Sequence, residues 1–177
     1  MNITKQEIKN LTKELILQKK KSSFNILYDN QNAALSELLI HAKKSIILFS
    51  DLPNTIYGTQ ELQKSLDFVI KQNNIQIKLF SPAIPSFNAF LVTILKEGCT
   101  IQPNIFQKQP KLKNKPYFCI IDKEFAFIQT KEGAKITYNP NECQKLLSGF
   151  PIEHKNISIS HKKINKNSTY QSRDYTN

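Results

Sequence analysis

Glycine occurs only 4 times in this 177-residue sequence. Loops that cradle phosphate in their backbone need glycines close together, and no Walker loop or glycine-rich dinucleotide loop is present. No HExxH or CxxC pair occurs either. The cysteines, Cys99, Cys119 and Cys143, are odd in number and lack metal-ligand spacing, so they read as reduced, buried thiols of a cytosolic protein. No histidine lies near them in sequence to support a cysteine nucleophile. No cofactor or metal is expected. No apolar run reaches the roughly 18–20 residues that a membrane helix needs. The opening MNITKQEIKN is charged and lacks a signal-peptide core. The expected setting is cytoplasmic, with no membrane partner.

Arginine is nearly absent too, occurring once at Arg173, yet the formal net charge is +11. Such an excess favours acidic partners, nucleic acid first among them. A genome rich in Lys, Asn and Ile codons would give the same bias. The positive charge is unevenly spread. Lys19-Lys20-Lys21 closes the first segment, and a tail after Glu153 carries Lys162 and Lys163. Between Phe106 and Pro116 runs QKQPKLKNKP, with Lys108, Lys111, Lys113 and Lys115. Its two prolines and its lysines disfavour strand and helix, so a basic surface loop is expected.

Hydrophobic spacing organises the rest. Ile3, Ile8, Leu11, Leu15 and Leu17 give residues 1–21 the pattern of an amphipathic helix. FNILYD, SIILFSD, IQIKLFSP and, more weakly, TIQPNIF read as strands. QNAALSELLIHAKK, ELQKSLDFVIKQNN and FNAFLVTILKEG read as helices, the last with Gly98 at its C-terminal cap. This alternation implies right-handed crossovers and a mostly parallel sheet with helices on both faces. SIILFS and CIID, apolar on both faces, are expected to be central strands. KPYFCIIDKEFAFIQT reads as a hairpin, AKITYNP as a further strand, and NECQKLLSGF as a closing helix capped by Asn139 or Asn141. An α/β domain is expected over residues 22–152. Residues 153–177, polar and without periodicity, are expected to form a flexible basic tail.

Three segments resemble the phospholipase D-like superfamily. ALSELLIHAKKSIILFSD is similar to that family's first inner helix and strand, and LQKSLDFVIKQNNIQIKLFSP to the next pair. KPYFCIIDKEFAFIQT followed by ITYNPNECQKLLSGF is similar to its signature hairpin and closing helix. The resemblance spans roughly residues 22–152. The family's motif is His-x-Lys-x4-Asp, with a Gly-Ser-x-Asn-like end to the second strand. It implies a histidine nucleophile, a lysine on the phosphate and an aspartate that orients a histidine. With Asp122 at the aspartate position, Lys115 replaces the histidine and Tyr117 the lysine. Gln129, Thr130 and Glu132 stand where Gly, Ser and Asn belong. Asp122 is also a common residue type for a hairpin turn. His41 and His161 each begin a His-x-Lys, but Leu48 and Ser168 occupy the aspartate positions.

The resemblance therefore implies a degenerate single-unit member without catalytic residues. The first functional expectation is an inactive accessory protein. It would bind nucleic acid through Lys108, Lys111, Lys113, Lys115, Tyr117, Lys162 and Lys163, with Tyr117 or Phe106 stacking on a base. The second is an assembly subunit that dimerises or docks on a protein partner, with the N-terminal helix as docking element. The third is a phosphodiesterase with a non-standard site.

Overall fold

The computed structural model describes residues 3–72, 74–85 and 87–152. Helix α1 (Lys5–Gln18) starts behind Thr4, whose hydroxyl accepts the Glu7 N–H at 3.3 Å while Glu7 Oε2 accepts the Thr4 N–H at 2.7 Å. This reciprocal cap satisfies donors that a first turn otherwise leaves orphaned. The buried stripe of α1 is Ile8, Thr12 and Leu15. Leu11 and Leu17, expected to face inward, are exposed. Thr12 holds a core position because its hydroxyl donates to Ile8 O at 2.8 Å, within its own helix.

The chain continues through β1 (Ser22–Leu27), a 3-10 turn at Tyr28–Asn30, α2 (Gln31–Ile40), β2 (Ser45–Phe49), the short α3 (Asn54–Tyr57), α4 (Gln60–Gln72) and β3 (Gln76–Phe80). Then come α5 (Ala89–Lys96), β4 (Thr100–Gln102), α6 (Ile105–Lys108) and a second 3-10 turn at Pro110–Asn114. The sequence closes with β5 (Phe118–Ile121), β6 (Phe125–Gln129), β7 (Gly133–Tyr138) and α7 (Pro140–Leu147).

All seven strands form one sheet in the order β1-β7-β6-β5-β2-β3-β4. The sheet is mostly antiparallel, which overturns the expectation of a mostly parallel one. Only β2–β3 and β3–β4 run parallel; the other four neighbouring pairs are antiparallel. The connections explain the difference. Crossovers carrying α4 and α5 separate β2, β3 and β4, as parallel pairing requires. Tight turns join β5, β6 and β7 and reverse the chain each time. The strand–helix alternation therefore speaks for β2–β4 alone.

Helices cover both faces, as expected. On β2, Ile46 and Leu48 enter one core with Ile8, Leu35 and Leu66, while Ile47 and Phe49 enter the other with Ile105, Leu112 and Phe150. That split is the period-two alternation of a strand. β2 and β5 lie at the middle of the sheet and are buried on both faces. The C-terminus of α5 is a Schellman cap: Gly98 has φ 75°, its N–H bonds Leu95 O, and Cys99 N–H bonds Ile94 O. Asn139 caps α7, its side chain accepting the Glu142 N–H at 3.3 Å.

The basic stretch after Phe106 is not the irregular loop that its composition predicted. It forms α6 and the 3-10 turn, with Pro110 at the start of that turn and Leu112 buried at 1% exposure. Proline's fixed φ suits a first helical position. One leucine anchors the segment to the second core. The expected strand TIQPNIF is likewise shortened to Thr100–Gln102.

Candidate functional site

The parallel strands β2 and β3 both end in Phe-Ser, and Phe49 pairs with Phe80. The pairing sets Ser50 beside Ser81, and Ser50 N–H bonds Phe80 O at 3.1 Å. Both serines are fully buried. Ser50 Oγ accepts the Leu52 N–H at 2.9 Å and lies near the buried Tyr57 hydroxyl. Burial holds that phenol well above its ordinary pKa. Leu52 itself is left-handed at φ 55°, a conformation leucine rarely takes. Asn88 holds it there, donating to Leu52 O at 2.8 Å while accepting the Leu91 N–H at 2.9 Å.

Two polar atoms at these strand ends are buried without a hydrogen-bond partner, Asp51 Oδ1 and Ser81 Oγ. Tyr117 joins them from the start of β5, which runs antiparallel to β2. Its ring packs edge-on against Phe49 at 5.3 Å, and burial first, then Asp51, raises its hydroxyl pKa. Strand order reverses at β2, because the chain runs from β2 outward through β3 and β4 and then returns to place β5 on the other side of β2. The carboxyl ends of strands at such a switch point are where open α/β sheets bind ligands. The repeated Phe-Ser ending was a signal available in the sequence and missed there.

The opposite end of the hairpin holds Asp122. Asp122 and Lys123 have φ 53° and 62°, and Glu124 N–H bonds Ile121 O at 3.0 Å. This is a type I′ turn, whose twist matches the flanking strands. Asp122 Oδ2 accepts the Lys43 N–H at 2.9 Å, and Oδ1 accepts the N–H groups of Lys44 at 2.7 Å and Ser45 at 2.9 Å. His41 stands at the end of α2. Its Nε2 lies 3.2 Å from Glu37 Oε1, without the alignment of a hydrogen bond. Burial lowers its pKa.

The predicted basic residues separate into two groups. Lys108, Lys111 and Lys113 are exposed, and no ion pair among the described residues uses them. Lys115 is half-buried. Its Nζ donates to Lys145 O at 2.8 Å and Leu146 O at 2.7 Å and lies 5.7 Å from the Phe150 ring centroid. Burial lowers its pKa. Lys115 therefore serves the C-terminus of α7, where a cation satisfies the last carbonyls. Lys162, Lys163 and the expected tail lie outside the described residues. Phe106, offered for stacking, packs edge-on against Phe49 at 6.0 Å. Two apolar side chains that sequence reasoning did not single out, Ile84 and Phe87, are 82% and 79% exposed on the segment between β3 and α5. The buried cysteines match expectation: Cys119 and Cys143 are buried, Cys99 is half-buried, and burial pushes the thiols of Cys99 and Cys143 up to about 12.

No group of His, Cys, Asp and Glu among the described residues is placed to hold a metal ion. No helix among them is long and apolar enough to cross a membrane. The arrangement defines a mixed α/β domain with buried polar groups at the ends of β2 and β3, where Ile105 N–H bonds Ser81 O and so joins the lysine-bearing segment to them. No protein-family model matches the sequence, and no curated protein matches it. Among solved structures, the chain is similar to TrmBL2, described as an archaeal chromatin protein with a novel mode of DNA binding. The two share 13% identity at a TM-score of 0.50, over 80% of this chain and 56% of that one. At that identity the likeness is one of fold.

Proposed function

We propose that this chain is a catalytically inactive phospholipase D-like protein that binds nucleic acid through its basic segment and termini in a cytoplasmic setting. The observation that carries the proposal is the display of Lys108, Lys111 and Lys113. All three are exposed on two helical turns whose Ile105 and Leu112 are buried. A lysine carried on an anchored turn loses less entropy on meeting a phosphate than one on a floppy loop. Phosphate contacts of this kind give salt-sensitive, weakly sequence-selective binding. Phe87, exposed at the end of the sheet where β3 finishes, offers a stacking surface for a base. The net charge of +11 and the likeness of fold to a protein described as binding DNA support the same reading. Inactivity is supported by the hairpin, which carries Lys115 and Tyr117 where the resembled family has histidine and lysine.

The test is titration of labelled single- and double-stranded DNA and RNA at several salt concentrations. The Lys108→Gln, Lys111→Gln, Lys113→Gln triple variant should bind more weakly. Its slope of log affinity against log salt should flatten by about 0.7–0.9 for each phosphate that is no longer neutralised. A chromogenic diester should not turn over. Unchanged affinity and slope in a folded triple variant defeats the binding proposal. Diester turnover abolished by substitution of His41 or His161 defeats the inactivity proposal.

A further inference from the structure

Strand β1 is one of the two edges of the sheet. The ladder fixes which of its backbone groups are free. Asn139 N–H bonds Glu124 O, and Thr130 N–H bonds Gly133 O, both at 3.0 Å. In antiparallel alternation Gly133, Lys135 and Thr137 therefore turn their N–H and C=O toward β6. Ala134, Ile136 and Tyr138 turn theirs toward β1, where their partners are Ile26, Phe24 and Ser22. The remaining residues of β1, Ser23, Asn25 and Leu27, send N–H and C=O outward.

Natural edge strands usually carry a charge, a proline or a bulge that blocks pairing. SSFNIL carries no charge and no proline, and its register with β7 is continuous. Leu27 is 64% exposed. Concavities of about 370 Å³ and about 340 Å³ both touch Asn25, Ile26 and Leu27, one extending to Ile3 and Asp29 and the other to Thr130 and Glu132. Lys19, Lys20 and Lys21 precede the strand and Asp29 follows it, all exposed.

We propose that β1 pairs antiparallel with β1 of a second copy of this chain, about a two-fold axis at Asn25. In that register the outward groups of Ser23, Asn25 and Leu27 meet the outward groups of Leu27, Asn25 and Ser23 of the second copy. Phe24 lies across from Ile26 of the second copy. The same register brings Lys21 toward Asp29 of the second copy, in the 3-10 turn just past β1, and the symmetry makes that ion pair twice. Centring the axis on Phe24 or Ile26 would also match outward groups, but would set Leu27 or Gln31, not Asp29, across from Lys21. The product is one sheet continuous through both copies. The inference stands apart from nucleic-acid binding.

Sedimentation equilibrium of the full chain without nucleic acid tests it. A concentration-dependent dimer is expected. Asn25→Pro removes an outward N–H and spares the bonds to β7, so it should leave a folded monomer. Asp29→Lys should raise the dimer dissociation constant roughly tenfold or more by setting lysine against Lys21. Adding Lys21→Asp to Asp29→Lys should restore association. Paired Cα atoms in a hydrogen-bonded pair lie about 5.5 Å apart, within disulfide reach. Asn25→Cys should therefore cross-link two copies under oxidation, and Ser22→Cys should not. A chain that stays monomeric at every concentration overturns the proposal, as does a charge swap that fails to restore association. Loss of nucleic-acid binding in the lysine variants leaves this outcome untouched.

Discussion

Asp122 Oδ1 and the Lys44 N–H are 2.7 Å apart, although 78 positions separate the residues in the chain. With the Lys43 and Ser45 contacts, this bond ties the tip of the β5–β6 hairpin to the start of β2. Asp122 N–H adds a bond to Ser45 O at 2.9 Å. In the resembled family the corresponding aspartate orients a histidine. Here both carboxylate oxygens are engaged by main-chain donors.

Asp122→Ala should destabilise the fold by roughly 2–3 kcal/mol, because bonds to a charged acceptor are removed and alanine must hold a left-handed backbone. Asp122→Asn keeps the turn and one acceptor, and should cost about half as much. Urea unfolding reads the difference as a lower midpoint at unchanged slope. Nucleic-acid affinity of the folded variants should not move.

Lys115 and Lys113 should part company in a stability assay. Lys115→Gln removes a cation from the last carbonyls of α7, and a loss of roughly 1–2 kcal/mol is expected. Lys113→Gln changes an exposed side chain and should stay within about 0.5 kcal/mol of the parent. Equal thermal shifts for the two would refute the assignment of Lys115 to the helix end.

His41 should impose a pH dependence on stability. Burial lowers its pKa below the ordinary 6.5; Glu37 opposes that shift, while Lys13 and Lys43 reinforce it. Well above 6.5 the imidazole is neutral in both states and contributes nothing. As pH falls through 6.5 the unfolded chain takes up the proton first, so stability drops until the folded imidazole also protonates. Urea midpoints at about pH 7.5 and about pH 5.5 should differ less in His41→Gln than in the parent.

Gly133 admits no side chain. A Cβ there would sit 2.0 Å from Ile26 O, and φ is 158°. Gly133→Ala must push β1 away from β7, and a loss of roughly 2–3 kcal/mol is expected. Amide exchange should localise the change, with Ser22, Phe24 and Ile26 losing protection before β2 and β5 do.

The two central strands were legible because SIILF and FCII are apolar at nearly every position. The Schellman glycine and Asn139 were legible because capping is local. Strand direction was harder to read. Helical patterns between strands reveal crossovers for β2–β4, but nothing in FNILYD says that β1 returns to pair beside a strand formed more than a hundred residues later. The segment 105–114 was misread because its lysines and proline outweigh one leucine in composition, whereas burying Leu112 decides its conformation. In α1, Thr12 disguised the stripe, since a polar residue that bonds its own helix can occupy a core site. Lys115 looks like its neighbours in sequence; only the distant carbonyls of Lys145 and Leu146 distinguish it.

The pairing of β1 with β7 also bears on how the chain is made. During synthesis β1 emerges early and its partner nearly last, so the contact closes a loop spanning almost the whole domain. Such long-range pairing is slow, because the entropy of closure is lost before the ladder forms. Until β7 arrives, both sides of SSFNIL stand open, and the growing chain carries an uncharged strand available to any neighbour. The interval between translating Leu27 and translating Tyr138 is then the period of greatest risk for misassembly, and slowing the ribosome within it should lower the yield of native protein.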